Sequence, residues 1–181
     1  MTDMTTKETV EKLLAGNARY RARETFGGDV SFARREALRD GQRPFAAVIC
    51  CSDARVIPEV IFDAGLGDLF VIRTAGNTAG ENERGSVGYA VEHLGVRTVV
   101  VLGHTRCGAV SAALHGEFDG PAGVITRRIK AAIGEETDPS KASVLNVRAT
   151  VRQLNADLGN GAKAVGALYD LCTGKVLFWE N

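Results

Sequence analysis

The chain has 181 residues, 45% of them hydrophobic and 24% charged, the size and composition of one folded domain over residues 1–181 and not of a fibrous repeat or a disordered tail. Lys plus Arg and Asp plus Glu each number 22, so no net field draws the chain to nucleic acid or to a membrane surface, and a small neutral substrate suits that balance. The polar stretch Met1–Arg23 holds no apolar run that would serve as a signal peptide or a membrane span, and the expectation is a soluble, cytoplasmic protein.

Thr5 followed by Glu8 forms a capping-box pattern, after which Val10, Leu13, Leu14, Asn17 and Tyr20 recur at helical spacing. An extended N-terminal helix is predicted. Beyond the basic, polar stretch Ala33–Arg43, three short apolar runs, Phe45–Cys51, Asp68–Arg73 and Thr98–Gly103, have the character of strands buried on both faces. Helical segments around Val60 and Tyr89 separate them, and that alternation predicts a parallel sheet flanked by helices. Helices follow at Val124–Ile133 and Val144–Leu158, with loops at Asp119–Gly123 and Glu135–Lys141. The runs Ala164–Tyr169 and Lys175–Phe178 flank the turn Cys172–Gly174 and predict an antiparallel edge. The fold class is therefore α/β, with a mostly parallel sheet.

The chemistry concentrates where the first and third strands end. Cys51, Asp53 and Arg55 stand at i, i+2 and i+4, so an extended chain would project all three on one side, with Cys50 turned to the opposite face. At the end of the third strand, His104 and Cys107 lie three residues apart at a strand-to-helix turn, with Cys107 at a helix start whose dipole favours the thiolate. Both motifs fall at the carboxyl ends of parallel strands, where open α/β sheets place ligands. Two thiolates and an imidazole suit Zn²⁺, and three protein ligands leave the fourth position open, as in catalytic sites. A water held there becomes acidic enough to act as hydroxide near neutral pH. An unpaired Asp53 could take the fourth position itself; paired with Arg55, it would stand aside and orient the water.

The motifs Cys51-Ser-Asp-Ala-Arg55 and His104-Thr-Arg-Cys107, in this order and at this separation, resemble the two signatures of β-class carbonic anhydrases, and the similarity runs from about the opening helix to Tyr169. The resemblance implies reversible hydration of CO₂ to bicarbonate, one Zn²⁺ per subunit, and a homodimer often doubled to a tetramer. It also implies a substrate pocket at the subunit interface: Gln42 matches a substrate-binding glutamine, Phe70, Ala75 and Tyr89 match its apolar lining, and Gly108 matches a glycine whose N–H lies near the substrate.

Other reactive residues have plainer readings. Cys50 is a small buried apolar residue, Cys172 a bystander in a turn, and Trp179 a packing or interface residue. His93 and His115 close helices and are not assigned to the metal. Arg127, Arg128 and Lys130 form a solvated helix face. Gly65-Leu-Gly67 and Gly159-Asn-Gly161 lack the third glycine and the preceding strand that a dinucleotide loop requires. Four cysteines in an intracellular chain point to metal ligands and buried thiols rather than disulfides.

Overall fold

The computed structural model describes residues 4–22, 26–116 and 119–179, so residues 1–3 and Arg23 of the polar N-terminal stretch lie outside the described residues. Five strands form one sheet in the order β2-β1-β3-β4-β5. They are β1 (Ala46–Cys50), β2 (Leu69–Arg73), β3 (Thr98–His104), β4 (Lys163–Tyr169) and β5 (Val176–Trp179). The first four run parallel and β5 is the antiparallel edge, paired with β4 through Gly166–Trp179 to Tyr169–Val176. Every residue of β1 and β3 is buried, which accounts for their unbroken apolar runs: a central parallel strand is covered on both faces and has no wet side to alternate toward.

The two faces separate by residue parity. Ala46, Val48, Cys50, Val100 and Leu102 turn to one side, where helices α1 (Thr6–Arg21) and α3 (Pro58–Ile61) bring Leu13 and Ile61 onto them. Ala47, Ile49, Val99 and Val101 turn to the other, against Val87 and Ala90 of α4 (Glu81–Glu92) and Val147, Val151 and Leu154 of α7 (Pro139–Asp157). A smaller cluster sits beyond the ends of β1 and β3, where α5 (Gly108–Leu114) and α6 (Gly123–Ile133) pack Val110, Ala113, Ile129 and Ile133 around Cys51 and Cys107.

Helix α1 starts as the sequence predicts, with Thr5 and Glu8 exchanging side-chain and backbone hydrogen bonds. Its inner face is Thr9, Leu13, Gly16 and Asn17, while Leu14 faces outward at 40% exposure. The stripe is thus one residue narrower than the apolar spacing suggests, because Gly16 lets the helix backbone lie directly on Phe62.

Three other expectations are corrected, two loop lengths and the role of Arg128, and one helix appears that the sequence did not signal. The segment Ala33–Arg43 includes a short helix, α2 (Phe32–Ala37), started by the Ser31 side chain accepting from the Arg34 N–H; it buries nothing, so it leaves no apolar pattern. Two predicted loops are shorter than expected: α6 already begins at Gly123, and α7 at Pro139, where Asp138 caps the Ser140 and Lys141 N–H groups. Arg128 is not merely solvated, since its guanidinium donates to the Ala79 carbonyl.

Candidate metal centre

Strand β1 ends at Cys50, and the next residue, Cys51, is buried on the opposite parity, in the small cluster beyond the sheet. Cys50 is buried in the core, where the loss of water pushes its thiol up to about 12. Strand β3 ends at His104, which is fully buried. The chain then turns through Arg106, whose φ of 56° lies in the left-handed region, and Cys107 follows as the N-cap of α5. Among the described residues, Cys51, His104 and Cys107 form the group able to hold a metal ion, with ligand atoms all within 4.8 Å of one another.

The donor set fits zinc. The Cys51 and Cys107 sulfurs are 3.9 Å apart, against about 3.8 Å for two thiolates on a tetrahedral zinc with bonds of about 2.3 Å. His104 Nδ1 lies 2.9 Å from the Thr105 carbonyl, an acceptor, so Nδ1 carries the proton and Nε2 the lone pair. Nε2 is buried and has no hydrogen-bond partner. A buried polar atom left without a partner is costly unless a ligand takes it, and Nε2 points to where both sulfurs converge.

The thiols behave as a pair. Cys51 is pushed down, first by its contact with Cys107, against its burial, and then by His104 and the Asp53 and Gly76 N–H groups. The same contact, together with burial, pushes Cys107 up. Holding a cation requires both as thiolates, so metal binding displaces the protons they carry.

Asp53 and Arg55 do not sit on an extended strand. The chain bends into a turn closed by the Val56 N–H on the Asp53 carbonyl, and Arg55 folds back onto the carboxylate. Its Nε and backbone N–H donate to Oδ1, each at 2.9 Å, and its Nη2 donates to Oδ2 at 2.7 Å. This grip holds the Asp53 carboxyl well below the usual carboxylate range. Oδ1 is doubly occupied; Oδ2 has spare acceptor capacity and lies 3.9 Å from His104 Nε2.

Arg73, assigned no individual role in the sequence reading, staples this turn from β2: Nη2 donates to the Asp53 carbonyl at 2.8 Å and Nε reaches the Cys51 carbonyl at 3.4 Å. The sequence showed a charged residue closing an apolar strand; the sheet brings it into register with Cys50.

The pocket residues expected from the resemblance divide. Ala75 adjoins the centre, because the N–H of the next residue, Gly76, lies 3.3 Å from Cys51 Sγ. Gly108 follows Cys107 as the first residue of α5. Phe70 of edge strand β2 and Tyr89 of α4 bring their rings to 6.1 Å in a tilted pair, and Tyr89 makes a second tilted contact with the His93 ring at 5.1 Å. Gln42 stands apart, before the start of β1, whereas Cys51 follows its end. It lines an open surface cavity with Arg43, Phe45 and His93.

Comparison with known proteins agrees with this geometry. The family profile described as carbonic anhydrase matches residues 46–176. A carbonic anhydrase of Mycolicibacterium smegmatis is 39% identical over 179 residues, covering 89% of this chain and 87% of that protein. Carbonic anhydrase 2 of Mycobacterium tuberculosis is 47% identical over 108 residues, 60% of this chain and 52% of its own. Among solved structures, the β-carbonic anhydrase CafA of Aspergillus fumigatus superposes with a TM-score of 0.70 at 27% identity, covering 95% of this chain and 91% of that one. The Coccomyxa β-carbonic anhydrase, solved with acetazolamide, gives 0.71 at 25% identity over 95% and 82%. With a profile spanning most of the chain and both cysteines and the histidine drawn together, this protein belongs to the β-class carbonic anhydrase family.

Proposed function

We propose that the chain, acting as one folded domain, catalyses the reversible hydration of CO₂ to bicarbonate and a proton with one Zn²⁺ held by Cys51, His104 and Cys107. The observation that carries this reading is the buried, unpartnered His104 Nε2 facing two thiols 3.9 Å apart, in a chain of this family. When bound, the zinc supplies a Lewis acid that brings the pKa of water near neutrality.

The chain's own groups orient and exclude. Asp53 accepts, on Oδ2, a hydrogen bond from the water that attacks the CO₂ carbon, and so aims the water's oxygen. Because Arg55 keeps this carboxyl so far below its usual range, Asp53 does not retain a proton at neutral pH; it orients, and the proton leaves to solvent buffer. Arg73 holds the turn that carries Asp53, and Ala75 and the Gly108 N–H border the space where CO₂ sits.

Gln42, Phe70 and Tyr89 enter this reading through a homodimer. The five residues of β1 alone put about 16 Å between Gln42 and the metal ligands of its own chain, so Gln42 serves the site of a second copy, with Phe70 of edge strand β2 and Tyr89 of α4 forming the wall between them. A dimer of dimers is compatible with the same arrangement. The exposed Cys172 and the free ligand thiols suit a reducing cytoplasm, and no helix of the described residues is long and apolar enough to cross a membrane.

The test is stopped-flow CO₂ hydration with an indicator, on protein of known zinc content, at about pH 7 and about pH 8.5. Turnover proportional to zinc content is expected, with Cys51→Ser and His104→Ala losing both zinc and activity, and Asp53→Ala retaining zinc while losing most turnover. Full zinc loading without turnover at either pH would reject the assignment.

A further inference from the structure

Cys51 Sγ receives two backbone N–H groups, Asp53 at 3.4 Å and Gly76 at 3.3 Å. The first belongs to the turn already fixed by Arg55 and Arg73. The second comes from the 3₁₀ turn Ala75–Asn77, where Gly76 has φ of 66° and a backbone that glycine alone would leave free to swing. Two contacts prevent that. A side chain at Gly76 would meet Ile129 Cδ1 at 2.6 Å, so α6 is packed directly against its Cα. On the other side, the Gly76 carbonyl accepts a hydrogen bond of 2.7 Å from Asn146 Nδ2 on α7. Asn146 is 2% exposed, and its bond to Gly76 is buried. One turn later on α7, Thr150 Oγ1 reaches the Asn77 carbonyl at 3.5 Å.

We propose that Asn146 is a positioning residue for the metal centre: by holding the Gly76 carbonyl it aims the Gly76 N–H at Cys51 Sγ and thereby sets how strongly that sulfur donates to the metal. The inference rests on the zinc-site reading. An amide N–H on a coordinated thiolate withdraws charge from the sulfur, and groups that orient ligands in this way change metal affinity by about 10–100-fold when removed. Helix α7 thus links the sheet's covering layer to the ligand electronics. Asn146 itself touches neither metal nor substrate.

The experiment uses the full chain loaded with ¹¹³Cd, a spin-½ stand-in for zinc. In wild type, the Gly76 amide proton should show scalar coupling to the metal across the N–H···S bond. In the near-isosteric Asn146→Asp, which replaces the N–H donor by an oxygen, that coupling should vanish while coupling at the Asp53 amide persists. Chelator competition should show zinc affinity lower by at least about tenfold. Leu154→Ala, a cavity in the same helix away from Gly76, should lower stability without changing either readout, which separates positioning from general loosening of α7. Should Asn146→Asp fail to fold, Asn146→Ala, which removes the donor without adding a charge, carries the same two readouts. A wild-type centre that binds cadmium without coupling at Gly76 overturns the proposal and leaves the metal site standing, as does unchanged affinity in Asn146→Asp. A wild-type protein that binds no metal overturns both.

Discussion

In the proposed zinc centre, the Asp53–Arg55 pair would decide whether the fourth position is open or capped. Three N–H groups of Arg55 hold the carboxylate, and its pKa lies below the ordinary 3.8 chiefly because of that side-chain contact. A carboxyl whose folded pKa is depressed adds stability that is complete above its unfolded value and is lost as pH falls through the folded one. The pair therefore persists across neutral pH and breaks in strong acid. Arg55→Gln removes the guanidinium, and Asp53 Oδ2, 3.9 Å from His104 Nε2, becomes free to turn to the metal. We expect this variant to keep its zinc, to lose activity by about 10–100-fold, and to show a carboxylate oxygen as fourth donor in X-ray absorption; a three-ligand centre with full turnover would contradict the gating role. The convergence of Cys51, His104 and Cys107 into a group able to hold a metal was legible, since a thiol at one strand end and an imidazole and thiol at another have few other uses. What the spacing misjudged was the path between Cys51 and Arg55: the i, i+2, i+4 argument assumes a strand, and the chain instead turns at once because the carboxylate accepts the Arg55 N–H. Asn146 was illegible because an asparagine in an amphipathic helix shows its partner only when the helix is docked.

Elements are held in place by a few buried polar contacts as much as by apolar area, and α1 shows this best. Asn17, 3% exposed, donates to the Ile61 and Gly174 carbonyls and accepts from the Val176 N–H, tying α1 at once to α3 and to β5. Beside it, a Cβ on Gly16 would stand 1.8 Å from the Phe62 carbonyl oxygen. Backbone does not yield as a flexible side chain does, so the helix would have to lift. Asn17→Ala gives up three hydrogen bonds worth about 1 kcal/mol each, and a loss of about 3 kcal/mol is expected in urea unfolding. Gly16→Ala should cost at least as much despite alanine's better helix propensity, and a stabilised Gly16→Ala protein would show that α1 does not press on α3 in solution. The cap and the length of α1 could be read from its sequence, because capping is local. The docking through Gly16 and Asn17 could not, since a helix interior containing glycine and asparagine reads as weak until its neighbour is in place. Helix α2 escaped for the opposite reason: it buries nothing and carries no periodic signal.

At the scale of the molecule, strand polarity places the candidate metal ligands. Cys51, His104 and Cys107 gather at the carboxyl ends of β1 and β3 because a parallel sheet ends its strands together, and the alternation of strand and helix made that legible. The alternation did not show that β1 would lie between β2 and β3, leaving β2 as an edge with the Phe70–Tyr89 ring pair along it. Nor does one chain bring Gln42 to its own metal ligands, since the residue precedes the strand that Cys51 follows. If the site is completed across a dimer, lesions in different copies should complement. Gln42→Ala and Cys51→Ser proteins, each expected to lose most or all activity alone, would be unfolded together and refolded with zinc. Each mixed dimer then contains one site with intact ligands facing an intact Gln42 of the partner subunit, and one site with both lesions. Random pairing makes half the dimers mixed, so about a quarter of wild-type activity should return in an isologous assembly. A residue serving its own chain predicts the reverse, because every site in the mixture would then carry one lesion and the activity would not exceed that of the separate variants. The refolded mixture therefore distinguishes a shared catalytic pocket from a self-contained one without requiring the interface to be seen.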